Sequence, residues 1–322
     1  VTVAGRPGPG RCDLWRVPVR PRPGWWGLLD DTERARARRL AGSPAQDVLV
    51  TSRGAQRLVA ARYLGTEPAT VTVARDCAHC GDPAHGRPRL AGADLDWSVS
   101  HTDRWLLIAV VGAGLVGVDI EGAAPTLDVD GLARATLTDV ERRAWTGLPG
   151  PARRTGLLRA WTRKEAAMKL TGLGLRAPAN QVDVHGATAR AGLPGWPADP
   201  IHLRDLPAPP GHVAALASTV PTVEVVWREL TGPERSVGGD LDGVLAQRRP
   251  VGPPGLHHQA GDVLLHGARG DVQPAGDGLV GQPGLQQLED LVLAQGDAAG
   301  AQHPGHPVGA GPALPDRGAD LA

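Results

Sequence analysis

Phenylalanine is absent from this 322-residue chain, tyrosine and methionine occur once each, and only two of the 34 Lys plus Arg residues are lysine. A core must therefore be built from aliphatic side chains and the nine tryptophans. The two lysines, Lys164 and Lys169, both fall in WTRKEAAMKL (161–170), so a compact ammonium is available at one place in a chain that otherwise uses arginine. The three cysteines, Cys12, Cys77 and Cys80, are too few and too uneven for a disulfide framework, and the reducing cytoplasm is the expected compartment. The opening VTVAGRPGPG lacks the apolar centre of a secretory signal. The apolar run 105–118 has 14 residues, short of the roughly 18 expected of a membrane span, so no membrane association is expected. Net charge is zero, with 29 basic and 23 acidic groups in 1–230 against 5 and 11 in 231–322. That modest surplus suits an anionic ligand and falls short of the basic footprint of a nucleic-acid binder.

Residues 30–65 read as helix, interrupted at Gly42-Ser43-Pro44 and stopped at Gly65, with Leu58, Val59 and Leu64 set among arginines. Turn formers dominate CAHCGDPAHGRPRLAGAD (77–94), which predicts a surface loop. Cys77 and Cys80 with His79 and His85 offer one CxxC and no second pair at finger spacing, so the loop is not read as a zinc site. WSVS (97–100) and WLLIAVV (105–111) predict a hairpin whose HTDR turn presents His101 and Thr102, and LVGVDIE (115–121) predicts a further strand. Helical spacing covers 127–146 and 151–171, with Gly172 and Gly174 ending the second stretch. Short strands near 181–185, 201–204, 212–218 and 223–228 complete an α+β body. Residues 231–322 hold 19 Gly and 10 Pro among 92 residues, the composition of a disordered arm or of GC-rich DNA read out of frame, and are left out of the fold.

Chemistry concentrates on the predicted strand 115–121 and the predicted helix 151–171. Asp119 and Glu121 stand two apart on a strand and project from one face, while Ile120 points the other way. Two solvated acids at a strand end would look the same. Trp161, Glu165 and Lys169 are spaced i, i+4, i+8 and share a helix face, with Lys164 about 100° away. An exposed Glu165–Lys169 ion pair, worth ~0.3–0.5 kcal/mol, would also give that spacing. The combination of three carboxylates and two ammonium groups points further, to a hard cation such as Mg²⁺ and a phosphate-bearing substrate, and so to phosphoryl transfer. SVSH lacks the G-x-S-x-G elbow of a serine hydrolase.

SVSHT, GVDIE and WTRKEAAMKLTGLGL, in that order and spacing, together with SRGAQRLVAARYLG and the loop 77–88, resemble the 4'-phosphopantetheinyl transferases of the surfactin-synthetase-activating type. The resemblance covers about residues 13–230. It implies two similar α+β lobes related by a pseudo-twofold, an N-terminal lobe of 1–112 and a C-terminal lobe of 113–230 that carries the metal site, with coenzyme A in the cleft between them. It also implies the reaction: the phosphopantetheine arm of coenzyme A moves to a serine of an acyl or peptidyl carrier protein of polyketide or nonribosomal peptide synthesis, leaving adenosine 3',5'-bisphosphate. Asp119, Glu121 and Glu165 match the Mg²⁺ ligands, Lys164 and Lys169 the cationic contacts to the pyrophosphate, and Glu165 also the candidate base. Lys169 and Glu141 join Glu165 as catalytic positions. Ser100 and His101 match the family's SH pair, whose histidine meets the 3'-phosphate of coenzyme A, and Arg57 and Arg87 match basic positions for the nucleotide phosphates. A monomer is expected. The alternative is a non-catalytic coenzyme A or carrier-binding module. Leu137 departs from the pattern, standing where an aromatic residue is usual.

Overall fold

The computed structural model describes residues 4–76, 86–123, 128–222 and 224–230. The readings made above for Cys77, His79, Cys80 and His85, and for the 231–322 tail, lie outside these residues. The helices follow local chemistry. Helix α1 (Asp31–Arg39) starts at Asp30, whose carboxylate accepts the Glu33 amide while the Glu33 side chain accepts the Asp30 amide. Helix α2 (Pro44–Leu64) opens on proline and stops at Gly65 with φ 65°, the left-handed turn that glycine adopts without a Cβ clash. Thus Gly42-Ser43-Pro44 breaks the first helical stretch as read. The second breaks into α3 (Val129–Thr136) and α4 (Asp139–Thr146), and α5 (Gly150–Thr171) ends at Gly172 with φ 76°. Leu137 lies between α3 and α4, buried in the same core cluster as Trp161.

Strands β1 (Arg11–Pro18), β4 (Asp96–His101), β5 (Trp105–Val111) and β10 (Glu224–Glu229) form one sheet, in the order β10-β1-β5-β4. A second four-stranded sheet runs β6-β9-β8-β7, from β6 (Val116–Gly122), β7 (Thr188–Ala189), β8 (Ile201–Leu206) and β9 (His212–Ser218). A two-stranded ribbon of β2 (Val73–Asp76) and β3 (Arg87–Leu90) completes the set. The two larger sheets are assembled in the same order: β1 lies antiparallel to β5, which hairpins with β4, and β6 lies antiparallel to β9, which pairs antiparallel with β8. A helix of 21 residues, α2, intervenes in the first and one of 22, α5, in the second.

Three readings of the sequence are corrected here. Residues 181–185 form no strand; only Asp183 bridges to Arg190, because the Val184 amide is taken by the Glu141 carboxylate. And β10, read with the second half, pairs parallel to β1 in the first sheet, Arg11 opposite Glu224. Thr102 does not project from the hairpin turn but is buried, its Oγ1 accepting the Arg104 and Trp105 amides that close it.

Three of the four apolar clusters among the described residues hold the sheets. Trp15, Val59, Trp97 and Ile108 pack the first sheet on α2, and Leu158, Trp161, Met168 and Ala215 pack the second on α5. Between the sheets, Leu14, Leu107 and Ala109 meet Val118, Ile120 and Leu216. Strand β6 is thus covered on both faces, as its Val116-x-Val118-x-Ile120 alternation requires once Asp119 and Glu121 face the other way. Among the described residues no helix is long and apolar enough to cross a membrane.

Candidate active site

Helix α5 lies directly on β6. At Gly117 an added Cβ would stand 1.8 Å from the Ala166 carbonyl oxygen, so glycine sets how closely the helix approaches. That approach brings the helix face of Trp161, Glu165 and Lys169 against the strand face of Asp119 and Glu121. The Trp161 indole Nε1 donates to Glu121 Oε1 at 3.1 Å. Lys169 Nζ stands 2.6 Å from Asp119 Oδ1 and 3.0 Å from Ser100 Oγ, and Ser100 Oγ donates to the same Asp119 oxygen at 2.7 Å. The predicted shared faces therefore meet each other rather than solvent.

Asp119, Glu121 and Glu165 are 2, 1 and 7 % exposed, whereas the Lys169 side chain remains 31 % exposed. Of these four side chains Lys169 is the most exposed. Burial raises the Glu121 carboxyl well above the ordinary range, and Asp119 adds to the rise. Burial likewise carries Glu165 to about 7, with Lys169 pulling against it and Asp119 pushing with it. Lys169 is held above its ordinary value despite burial by the charges of Asp119 and Glu165. Asp119 Oδ2 is buried with no hydrogen-bond partner among the described residues.

The site thus holds three carboxylates and one ammonium, with a buried carboxylate oxygen left over. No group of three or more His, Cys, Asp or Glu among the described residues is arranged as it stands to hold a metal ion, and the Lys169 ammonium lies on Asp119. The donor chemistry nonetheless fits a hard dication: all three acids are oxygen donors, and the charge of such an ion would favour the ionised forms that burial, with Asp119 adding to it, disfavours at Glu121 and Glu165.

The other predicted residues divide. Ser100 belongs to the cluster, and His101 lies near enough to feel it: burial, then the Lys169 charge, lower the imidazole to about 4. Lys164 does not belong. It is 0 % exposed and points to the far side of α5, where Nζ meets Glu141 Oε2 at 2.6 Å, the Ala179 carbonyl at 2.9 Å and the Val182 carbonyl. Glu141 is held there too, accepting the Val184 amide at 2.7 Å and capping α4 through the Thr138 amide. The physical reason is the turn of helix between Lys164 and Glu165. In this structure the pair secures the segment after α5 and contacts none of the clustered carboxylates. Arg57 is also occupied, 2.8 Å from Glu33 and 3.4 Å from Asp30, with Arg53 on the same Glu33. Arg87 binds Asp96 and donates to the Val116 carbonyl at 2.7 Å.

Sequence reading missed Trp161 as a contact of Glu121 and missed the first serine of SVS. Ser98 is 4 % exposed and its Oγ accepts the Val118 amide at 3.1 Å. The D-x-S-x-S alternation at 96, 98 and 100 was the available signal, but polar residues at every second position resemble a solvated strand face.

Comparison with known proteins gives a consistent result. The family model of the 4'-phosphopantetheinyl transferase superfamily matches residues 115–205, a span that includes β6 and α5. The 4'-phosphopantetheinyl transferase HetI of a Nostoc species is 32% identical over 166 residues, covering 50% of this chain and 69% of the relative. The Synechocystis protein slr0495, provisionally named for the same activity, is 29% identical over 174 residues, covering 52% and 68%.

Proposed function

Because the chain belongs to the 4'-phosphopantetheinyl transferase superfamily, we propose that it transfers the phosphopantetheine arm of coenzyme A to a serine of an acyl or peptidyl carrier protein. The observation that carries this reading is the buried set of Asp119, Glu121 and Glu165 beside the partly exposed Lys169 side chain. Asp119, Glu121 and Glu165 would hold Mg²⁺, with Asp119 Oδ2 supplying an oxygen that no donor among the described residues meets. Bound there, the ion would offset the negative charge of the pyrophosphate.

The protein's own groups then have distinct tasks. Lys169, at the mouth, contacts the pyrophosphate oxygens. The carrier serine oxygen bonds to the phosphorus that bears pantetheine, the bond from that phosphorus to adenosine bisphosphate breaks, and the hydroxyl proton passes to a base. Glu165, whose carboxyl stands at about 7 in the metal-free chain, is the candidate for that base. Trp161 holds Glu121 in place. His101, neutral in the free protein, would gain a partner in the 3'-phosphate. Arg57, Arg53 and Arg75 gather round Glu33, an excess of cations that a nucleotide phosphate would balance. Two lobes joined near residue 112, related by a pseudo-twofold with a cleft between them, are supported by the matching strand order and the two long helices, although β10 returns to the first sheet. A monomer in the cytoplasm, with neither nucleic acid nor membrane as partner, accords with the charge balance of residues 1–230.

The test is to incubate the chain with coenzyme A, Mg²⁺ and a panel of carrier domains lacking the arm, and weigh the carriers. The expected result is a gain of one phosphopantetheine, abolished by a chelator and by Asp119→Ala or Glu165→Ala in variants whose circular dichroism is unchanged. No gain across a panel that another transferase loads would leave a binding module instead.

A further inference from the structure

Strand β6 carries two of the proposed metal ligands and lies at the edge of its sheet, with β9 on one side and, among the described residues, no strand of that sheet on the other. Its residues Val116, Val118 and Ile120 are nevertheless buried, and a buried amide without an acceptor is costly. All three amides are met by side chains of β4. The Val116 amide donates to Asp96 Oδ2 at 2.7 Å, Val118 to Ser98 Oγ at 3.1 Å and Ile120 to Ser100 Oγ at 3.3 Å. Alternate side chains of one strand thus meet alternate amides of another, in step over three rungs. The residues paired with Asp96, Ser98 and Ser100 on β5 are Val111, Ala109 and Leu107, all apolar and all packed in the cluster between the sheets. Polar side chains appear on β4, where the edge of β6 arrives.

The rungs connect to the chemistry in sequence. Ser100 uses its full capacity, donating to Asp119 and accepting from Ile120 and Lys169. Arg87 closes the other end, binding Asp96 and the Val116 carbonyl. The middle rung reaches the site only through the backbone, at Val118, one residue before Asp119.

Resting on the function proposed above, we propose that Ser98 and Asp96 are positioning residues. Their oxygens fix the register of β6 against β4, and with it the placement of the Asp119 and Glu121 carboxylates opposite α5. Neither side chain bonds to a clustered carboxylate or to Lys169; both act through the main chain of β6. Serine at 98 is then required for its acceptor, and threonine, which keeps the oxygen and suits a strand, should replace it.

Ser98→Ala, Ser98→Thr and Asp96→Asn are tested in the full chain. Amide exchange measured by NMR should quicken at Val118 in Ser98→Ala, roughly tenfold, the size expected for one buried hydrogen bond. The half-saturating concentration of Mn²⁺ alone, read by electron paramagnetic resonance, should rise severalfold in Ser98→Ala and in Asp96→Asn. In the transfer assay Ser98→Ala should lower kcat and raise the Mg²⁺ requirement with KM for the carrier unchanged, and Ser98→Thr should restore all of these. Unchanged Mn²⁺ affinity and kcat in Ser98→Ala overturn the proposal, as does failure of threonine to rescue a correctly folded protein. If the unaltered chain loads no carrier, the proposed transfer falls instead. Ser98 is then judged on exchange and Mn²⁺ affinity alone, where a joint shift upholds the positioning role and no shift overturns it.

Discussion

Replacing Lys164 with methionine separates two roles that the sequence alone leaves merged. As a pyrophosphate contact, Lys164 would govern coenzyme A binding. In the structure it is wholly buried, bonded to Glu141 and to the carbonyls of Ala179 and Val182. Methionine keeps most of the volume, removes the charge and leaves the Glu141 carboxylate without its counter-ion. Breaking a buried ion pair from one side costs about 3–5 kcal/mol, a large part of the ~5–15 kcal/mol that holds a typical domain. For a body of this size that corresponds to a fall in Tm of roughly 6–20 °C. Glu141→Gln should produce a loss of the same kind, and the double variant should lose less than the sum, with a coupling of about 1–3 kcal/mol. Urea denaturation of the four proteins measures this cycle, and coenzyme A titration at a temperature where all are folded measures binding. A Lys164→Met protein within about 1 kcal/mol of the parent, with KM for coenzyme A raised tenfold or more, would refute the assignment and return Lys164 to the phosphates.

Three further outcomes follow from other parts of the molecule. Gly117→Ala sets a methyl group against the Ala166 carbonyl oxygen and should cost at least about 3 kcal/mol or displace α5, seen as loss of both thermal stability and transfer. Tyr63→Phe removes a phenol that accepts from the Trp15 indole at 3.0 Å and donates to buried Asp13 at 2.9 Å; it should cost about 2 kcal/mol with kcat and KM unchanged, since this network lies in the first sheet. His101, lowered by burial and then by Lys169 from 6.5 to about 4, stays neutral in the folded chain while the unfolded chain takes up a proton below about 6.5. Stability should therefore decline as pH falls between those values, by up to about 3 kcal/mol from this group, and an imidazole resonance titrating near 6.5 would contradict it.

Local chemistry was legible in the sequence where it is settled locally. Gly65 and Gly172 end their helices because a left-handed turn needs no partner elsewhere in the chain. Gly42-Ser43-Pro44 breaks a helix for reasons contained in three residues. The faces of β6 and α5 followed from periods of 2 and 3.6, so the meeting of Asp119 with Lys169 and Glu121 with Trp161 needed only that the two elements pack. What the sequence withheld was contact across long separations. Nothing near Lys164 announces that Glu141 and two carbonyls beyond α5 will take its ammonium group. Nothing in 224–229 distinguishes a strand of the second sheet from one that crosses to the first. Nor does the alternation of Asp96, Ser98 and Ser100 announce that their oxygens serve an edge strand 20 residues onward.

The pairing of β10 with β1 bears on the order in which the protein can be completed. Synthesis delivers β1, β4 and β5 early, yet their sheet lacks an outer member until Glu229 has been made, and Arg228 then reaches back to buried Asp13. A nascent chain stalled anywhere before that point has a second sheet it can finish and a first sheet with a bare edge along β1. Domains generally form as units while the chain emerges, so here the half made first is closed last. The two ends of the described body act as a clasp, and a truncation of only a few residues before Leu230 should expose Leu14 and Trp15 on a strand begging for another chain's edge.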